Sequence, residues 1–160
     1  MRNLTTKERG LFKTRILNAL LKSDNVKDLI LGDTSNLTPN EVLSKFRTHV
    51  NSHLFIDETI KDTSTYIFFD VTMPFMRPQT KSIQIFMYAI CHRDILEDYA
   101  KEGYFGNRAD ILSEMIEETL LDDKIVKEFG IGDLSLDNVD IYNSTTFYGL
   151  IMVFEVKNFR

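Results

Sequence analysis

Cysteine occurs once in these 160 residues, at Cys91, and proline only three times. A lone cysteine cannot close an intramolecular disulfide, so the fold has to stand on packing alone, as in a reducing compartment, and cytoplasmic synthesis is expected. Apolar runs break within about ten residues, short of the roughly 20 that a membrane-spanning helix needs, so no membrane segment is expected. Met1–Leu21 carries Lys7, Arg9, Lys13 and Arg15, but Glu8 and Asn18 interrupt them and no small-residue cleavage site follows an apolar core. A mature N terminus without a signal peptide is expected. Like charges never run to five or six, and the net charge of −5 with a pI near 5.2 disfavours a surface that tracks phosphates. Gly130-Ile131-Gly132 lacks the third glycine, the preceding strand and the following helix of a dinucleotide fingerprint, so it reads as a turn, and no phosphate loop occurs. Repeats, low-complexity tracts and interdomain linkers are also missing.

What is present is apolar and aromatic: 43% hydrophobic residues, with 12 Phe and 6 Tyr. That is enough to fill the core of one domain over residues 1–160, with N-terminal helices in 5–50 and a sheet with a packing helix in 54–160. Thr5-Thr6-Lys7-Glu8 is a capping-box pattern, and Phe12, Ile16, Leu17, Leu20 and Leu21 recur at helical spacing to about Ser23. Val26, Leu29, Ile30 and Leu31 predict a further turn stopped by Gly32. Thr38-Pro39-Asn40-Glu41 opens a short helix with Val42, Leu43, Phe46 and Val50 on its buried face, expected to dock a loop rather than join the main core.

From Leu54 the period falls to two. A short extended piece is expected at Leu54–Ile60, then a strand with Ile67, Phe69, Val71 and Met73 on one face and Tyr66, Phe68, Asp70 and Thr72 on the other. Ser82–Ile90 alternates in the same way and should pair with it. The connection between them, Pro74-Phe75-Met76-Arg77-Pro78-Gln79-Thr80-Lys81, exceeds the usual hairpin loop and is expected to project. Asn107 should cap the clearest helix, with Asp110 in its first turn and Ile111, Leu112, Met115, Ile116 and Leu120 buried. Leu134–Tyr142 reads as an edge strand or extended connection. Thr146–Val156 carries apolar residues on both faces and should be central. The expected class is α+β: a mostly antiparallel sheet of about four strands, helices on one face, and a long projecting hairpin loop.

No residue set completes a chemistry. His49 and His53 have chelating spacing on a helix, but no third ligand stands near them. Cys91-His92-Arg93-Asp94 gathers a thiol and an imidazole, yet neighbours on a strand point to opposite faces. Asp70, Glu155 and Lys157 hold the residue types of a metal-dependent nuclease, but the carboxylates lie far apart in sequence. Glu114, Glu117 and Glu118 form an acidic helix face open either to solvent or to a basic partner. Phe68, Phe86 and Tyr148 would line a small-molecule pocket if the chain were a regulatory binding domain. No enzyme class, cofactor or metal is expected. The projecting loop and the aromatic excess instead suit a protein interface.

Ile60–Asp70, Ile83–His92, Asn107–Leu112 and Phe147–Phe159 occur together as a strand, a strand ending in Cys-His, a Gly then Arg-x-Asp helix start, and a closing Tyr-Gly strand ending near Asn-Phe. Over residues 54–160 this layout resembles the tail-completion proteins, terminators or neck proteins, of tailed bacteriophages. The resemblance implies a non-enzymatic virion subunit, made in the host cytoplasm. It implies a homo-oligomeric ring, commonly hexameric, that ends the tail tube and joins it to the head connector while DNA passes without specific binding. A head-closure or adaptor protein is the alternative. The resemblance also implies that the loop residues Pro74, Phe75, Met76, Arg77, Pro78, Gln79 and Lys81 reach a neighbouring subunit or the tube.

Overall fold

A computed structural model describes residues 5–60, 62–76, 81–124 and 134–159, with backbone alone for 5, 74–76, 81 and 157–159. The described elements are α1 (Thr5–Lys22), α2 (Asp24–Leu31), α3 (Pro39–His49), β1 (Val50–Asn51), β2 (Thr65–Met76), β3 (Lys81–His92), α4 (Arg108–Leu120), β4 (Leu134–Asn143) and β5 (Phe147–Phe159). A 3₁₀ turn covers Arg93–Ile95.

At the starts of α3 and α4 the caps act where the residues foretold them. Thr38 Oγ1 accepts from Glu41 N at 3.2 Å and donates to Glu41 Oε1 at 3.1 Å, with Pro39 at the first helical position. Asn107 and Asp110 form a reciprocal box, each side chain accepting from the other's amide at 2.9–3.0 Å. The Thr38 cap satisfies one of the donors that a helix start leaves open, and the Asn107–Asp110 box two. Gly32, at φ 70, ends α2 in the left-handed region as expected.

The sheet has five strands in the order β1-β2-β3-β5-β4, antiparallel except for β1 against β2. The α+β class and the antiparallel character are as expected; the fifth strand is new. Val50 and Asn51 pair with Ile67 and Phe68, so the chain adds a parallel strand directly off the end of α3. The extended piece expected at Leu54–Ile60 does not form. Asp57 instead folds it into a turn, its carboxylate accepting from Thr59 N at 2.9 Å and Thr59 Oγ1 at 2.6 Å.

All four of the helices α1–α4 contribute to one core against one face of the sheet. Ile67, Phe69 and Val71 of β2, Ile83, Ile85, Met87 and Ala89 of β3, and Met152, Phe154 and Val156 of β5 meet Phe12, Ile16, Leu20, Val26, Leu29, Phe46, Ile111, Leu112, Met115 and Ile116. The period-two and period-3.6 patterns therefore converge on one apolar layer. Phe46 is fully buried there, which corrects the expectation that α3 only docks a loop. The helix is short, but its aromatic group reaches past it into the layer. β5 lies between β3 and β4, central as its two apolar faces required.

β2 runs on through Met76 and β3 begins at Lys81, with Phe75 opposite Ser82 and Met76 opposite Lys81. The expected loop of Pro74–Lys81 is shorter by four positions, because Pro74, Phe75, Met76 and Lys81 are strand residues. Pro74 lies where the register shifts between Thr72 and Phe75, a place where a missing amide donor interrupts no regular ladder. Arg77, Pro78, Gln79 and Thr80 lie outside the described residues, as does Gly130-Ile131-Gly132.

Candidate functional site

Helices cover one face of the sheet; among the described residues the other face is covered at one end only. Its rows follow from the registers: Tyr66-Ile90-Gly149-Tyr142, then Phe68-Tyr88-Ile151-Asp140, then Asp70-Phe86-Val153-Asn138, then Thr72-Gln84-Glu155-Ser135. Tyr66, Phe68, Ile90 and Phe147 are buried as a second cluster under Ile56 and Ile60 of the segment 52–60. That segment is held down by Glu58, which accepts from Tyr142 Oη at 2.5 Å and Ser144 Oγ at 3.0 Å. Burial and the Glu58 carboxylate push the Tyr142 phenol up to about 12, which keeps it a donor. Beyond this strap Phe86, Tyr88, Ile151 and Val153 are half-buried, and the strap itself presents Phe55 at 65% exposure.

The two edges of the sheet differ. At the β2 edge, beyond the short β1, α1 takes over: Arg9 Nε donates to Val71 O at 2.6 Å, and Asp70 is bridged by Arg9 at 2.6 Å and Lys13 at 2.8 Å. Lys13 also donates to Ser52 O at 2.6 Å, tying the strap to α1. Burial raises the Asp70 pKa, but Lys13, the Val71 amide and Arg9 together outweigh it and hold the carboxyl below its ordinary value. At the opposite edge β4 has no strand beyond it among the described residues. Val139 and Ile141 on its helix-side face are 49% and 58% exposed; among the described residues the nearest helix, α4, packs on β3 and β5. The strand carries Asp137 and Asp140 and no cation.

The chemical sets read from the sequence are not brought together. His49 Nδ1 donates to Thr65 O at 3.1 Å and its ring stacks on Tyr66 at 5.2 Å, while His53 lies exposed in the strap. Burial lowers the His49 pKa, with the Thr65 carbonyl opposing. Among the described residues no three His, Cys, Asp or Glu side chains group to hold a metal. Cys91 is buried, its thiol pushed up to about 11 by that burial. His92 lies on the other face, edge-on to Phe147, its Nδ1 accepting from Asp94 N at 3.1 Å. Asp70 and Glu155 stand on strands separated by β3, about 10 Å apart across the sheet. Asp70 is also committed to α1, and the side chain of Lys157 lies outside the described residues. Phe68 and Phe86 share the second face, whereas Tyr148 alternates to the helix side, so the three line no common pocket. Glu114, Glu117 and Glu118 line a shallow depression on α4, where Glu118 accepts from Tyr104 Oη at 2.8 Å.

Sequence reasoning missed the Arg9–Asp70–Lys13 lock and the Glu58–Tyr142 strap. A carboxylate in mid-strand and two cations four apart on α1 were the available signals for the first; the second joins residues 84 apart and had none.

A family model described as YomW matches residues 14–156, nearly the whole chain. The chain belongs to the YomW family, whose name derives from a Bacillus phage, and is in that sense phage-related. No curated protein and no solved structure matches it.

Proposed function

We propose that this member of the YomW family is a structural virion subunit. It would form a ring at the head-proximal end of a phage tail, end the tail tube and join it to the head connector. The observation that carries this reading is the one-sided helix layer. Among the described residues it leaves Phe86, Tyr88, Ile151 and Val153 only half-buried on the second face and Val139 and Ile141 exposed on an open edge. An isolated domain gains nothing from wetting aromatic and branched groups in contiguous rows, whereas a subunit buries them against neighbours.

The phage-related family supports the setting, and the layout that resembles tail-completion proteins supports the place in the tail. The net charge of −5 fits a lumen that lets DNA slide past, since like charge discourages phosphate binding. The loop around Arg77, Pro78 and Gln79, between the ends of β2 and β3, is assigned to contact with the tube or the next subunit.

Light scattering and negative-stain imaging of the purified full-length chain test the reading, together with its binding to purified tail tubes. A closed oligomer that binds tube ends is expected; a strict monomer indifferent to both tube and connector refutes it. Binding to the connector alone would favour the head-closure or adaptor role.

A further inference from the structure

One aromatic side chain stands in solvent on a loop that is pinned on both sides of it. Phe105, in the segment 93–107 between β3 and α4, is 83% exposed, the most of any large apolar residue described. Before it, Tyr104 Oη donates to Glu118 Oε2 at 2.8 Å and accepts from Asn25 Nδ2 at 3.2 Å, and Tyr104 N donates to Lys101 O at 3.1 Å. After it, Gly106 at φ 95 lies so close to Asp110 that a Cβ there would stand 2.5 Å from Asp110 Oδ2, and Asn107 is held in the box that starts α4. With both flanks fixed, burying the ring against a partner costs little further ordering of the backbone, the condition that suits an aromatic anchor.

The charge around this residue is one-sided. Residues 93–120 hold eight acids and three cations, a surplus equal to the net −5 of the whole chain. Two of those cations are turned elsewhere: Arg93 donates to Ser144 O and Asn143 Oδ1, and Arg108 to Ile95 O and Leu29 O. The Glu118 hydrogen bond, then burial, then the charges of Glu118 and Glu114 raise the Tyr104 phenol, so both acids stand beside the loop. The position is also distinct. Segment 93–107 leaves β3 after His92, whereas the hairpin joins the other end of that strand, and Arg108 N donates to Leu96 O at 2.8 Å, so the loop closes near where it began. The 12 residues of β3 separate the two ends by roughly 40 Å.

We infer that Phe105 is the anchor by which the subunit docks on the head connector, at an apolar pocket rimmed by lysine or arginine. This rests on the ring reading and names one of its partner contacts. The hairpin end is assigned to the tube or the next subunit, which leaves the Phe105 end for the connector. The acid surplus calls for a cationic rim on the partner. A second copy of this chain supplies none, because its charge outside residues 93–120 balances to zero.

Binding of the full-length protein to purified head connectors and to purified tail tubes tests it, with wild type, Phe105→Ser and Phe105→Leu. Because the ring lies in solvent, both variants should keep the wild-type oligomer in sedimentation velocity and melt within about 2 °C of wild type. Phe105→Ser should weaken connector binding at least about 30-fold and leave tube binding unchanged, and Phe105→Leu should recover part of the loss. Glu114→Lys with Glu117→Lys should slow association with the connector and flatten its dependence on salt. Equal connector affinity for wild type and Phe105→Ser overturns the anchor and leaves the ring reading standing, as does loss of tube binding in place of connector binding. A Phe105→Ser chain that separates into 18.6 kDa monomers also overturns it, because the ring would then belong to a contact between copies. A wild type that is monomeric and binds neither connector nor tube overturns both readings.

Discussion

Replacing Gly149 by alanine adds one methyl group and should be among the most damaging single changes in this protein. Gly149 sits in β5 opposite Ile90 of β3, in the middle of the sheet. A Cβ placed there would lie 2.1 Å from Ala89 O, and 2.6 Å from both Ile90 Cα and Ile90 Cγ2, where ordinary contact begins at 3.4 Å. Two of these three atoms are backbone, so no rotamer change relieves the overlap, and the strands must part by about 1 Å against a normal spacing near 4.8 Å. Such parting weakens one or two ladder hydrogen bonds, at about 1 kcal/mol each, and loosens the packing on both faces. The total is about 2–4 kcal/mol. For a chain of this length the melting temperature should fall by roughly 5–15 °C. Gly10→Ala supplies the control of opposite sign. Gly10 lies in α1 with nothing within 4 Å of a built Cβ, so alanine should stabilise by about 1 kcal/mol through helix propensity and a less disordered unfolded chain. Thermal melts at one fixed protein concentration read both. A Gly149→Ala protein that melts within about 2 °C of wild type would refute the close-approach argument.

Asp70→Asn removes a bridge to Arg9 and Lys13 and should cost about 1 kcal/mol at neutral pH. Because the Asp70 pKa is lowered in the folded state, its contribution is present above the unfolded carboxylate value and fades as pH falls through the folded one. Denaturant midpoints of wild type and variant should therefore converge below about pH 4; a constant gap down to acid would show that the charge is not what matters. Tyr142→Phe leaves Ser144 as the one remaining donor to Glu58 named above and should raise amide hydrogen exchange in the strap segment 52–60 while leaving the β3–β5 ladder protected. Unchanged exchange in the strap would mean that Ile56, Ile60, Ser144 and Lys13 hold it without the Tyr142 hydrogen bond. Cys91, buried with its thiol pushed up to about 11, should resist alkylation at pH 8 in the native protein and react once denatured. Rapid native labelling would contradict that burial.

Where short-range rules apply, the residues were informative. Thr38-Pro39-Asn40-Glu41 and Asn107–Asp110 act through neighbours three positions away, so their caps form as read. Alternation put Ile67, Phe69 and Val71 on the face that meets the helices because a strand repeats every two residues, whatever it packs on. The extent of the β2–β3 hairpin was misjudged because Pro74 was taken to end a strand. Prolines end strands only where the lost donor would break a ladder.

The sequence by itself determined an α+β chain whose helices and strands each have a defined apolar face, since capping and periodicity are local properties of a polypeptide. Only the tertiary structure decided which groups meet across it. It placed the parallel Val50–Asn51 strand, the commitment of Asp70 to Arg9 and Lys13, the Glu58–Tyr142 strap, and the pressure of β3 backbone on Gly149. These contacts depend on strand order and on where the helix layer stops. Residues tens of positions apart become neighbours only after the whole chain has chosen one way to bury its apolar surface.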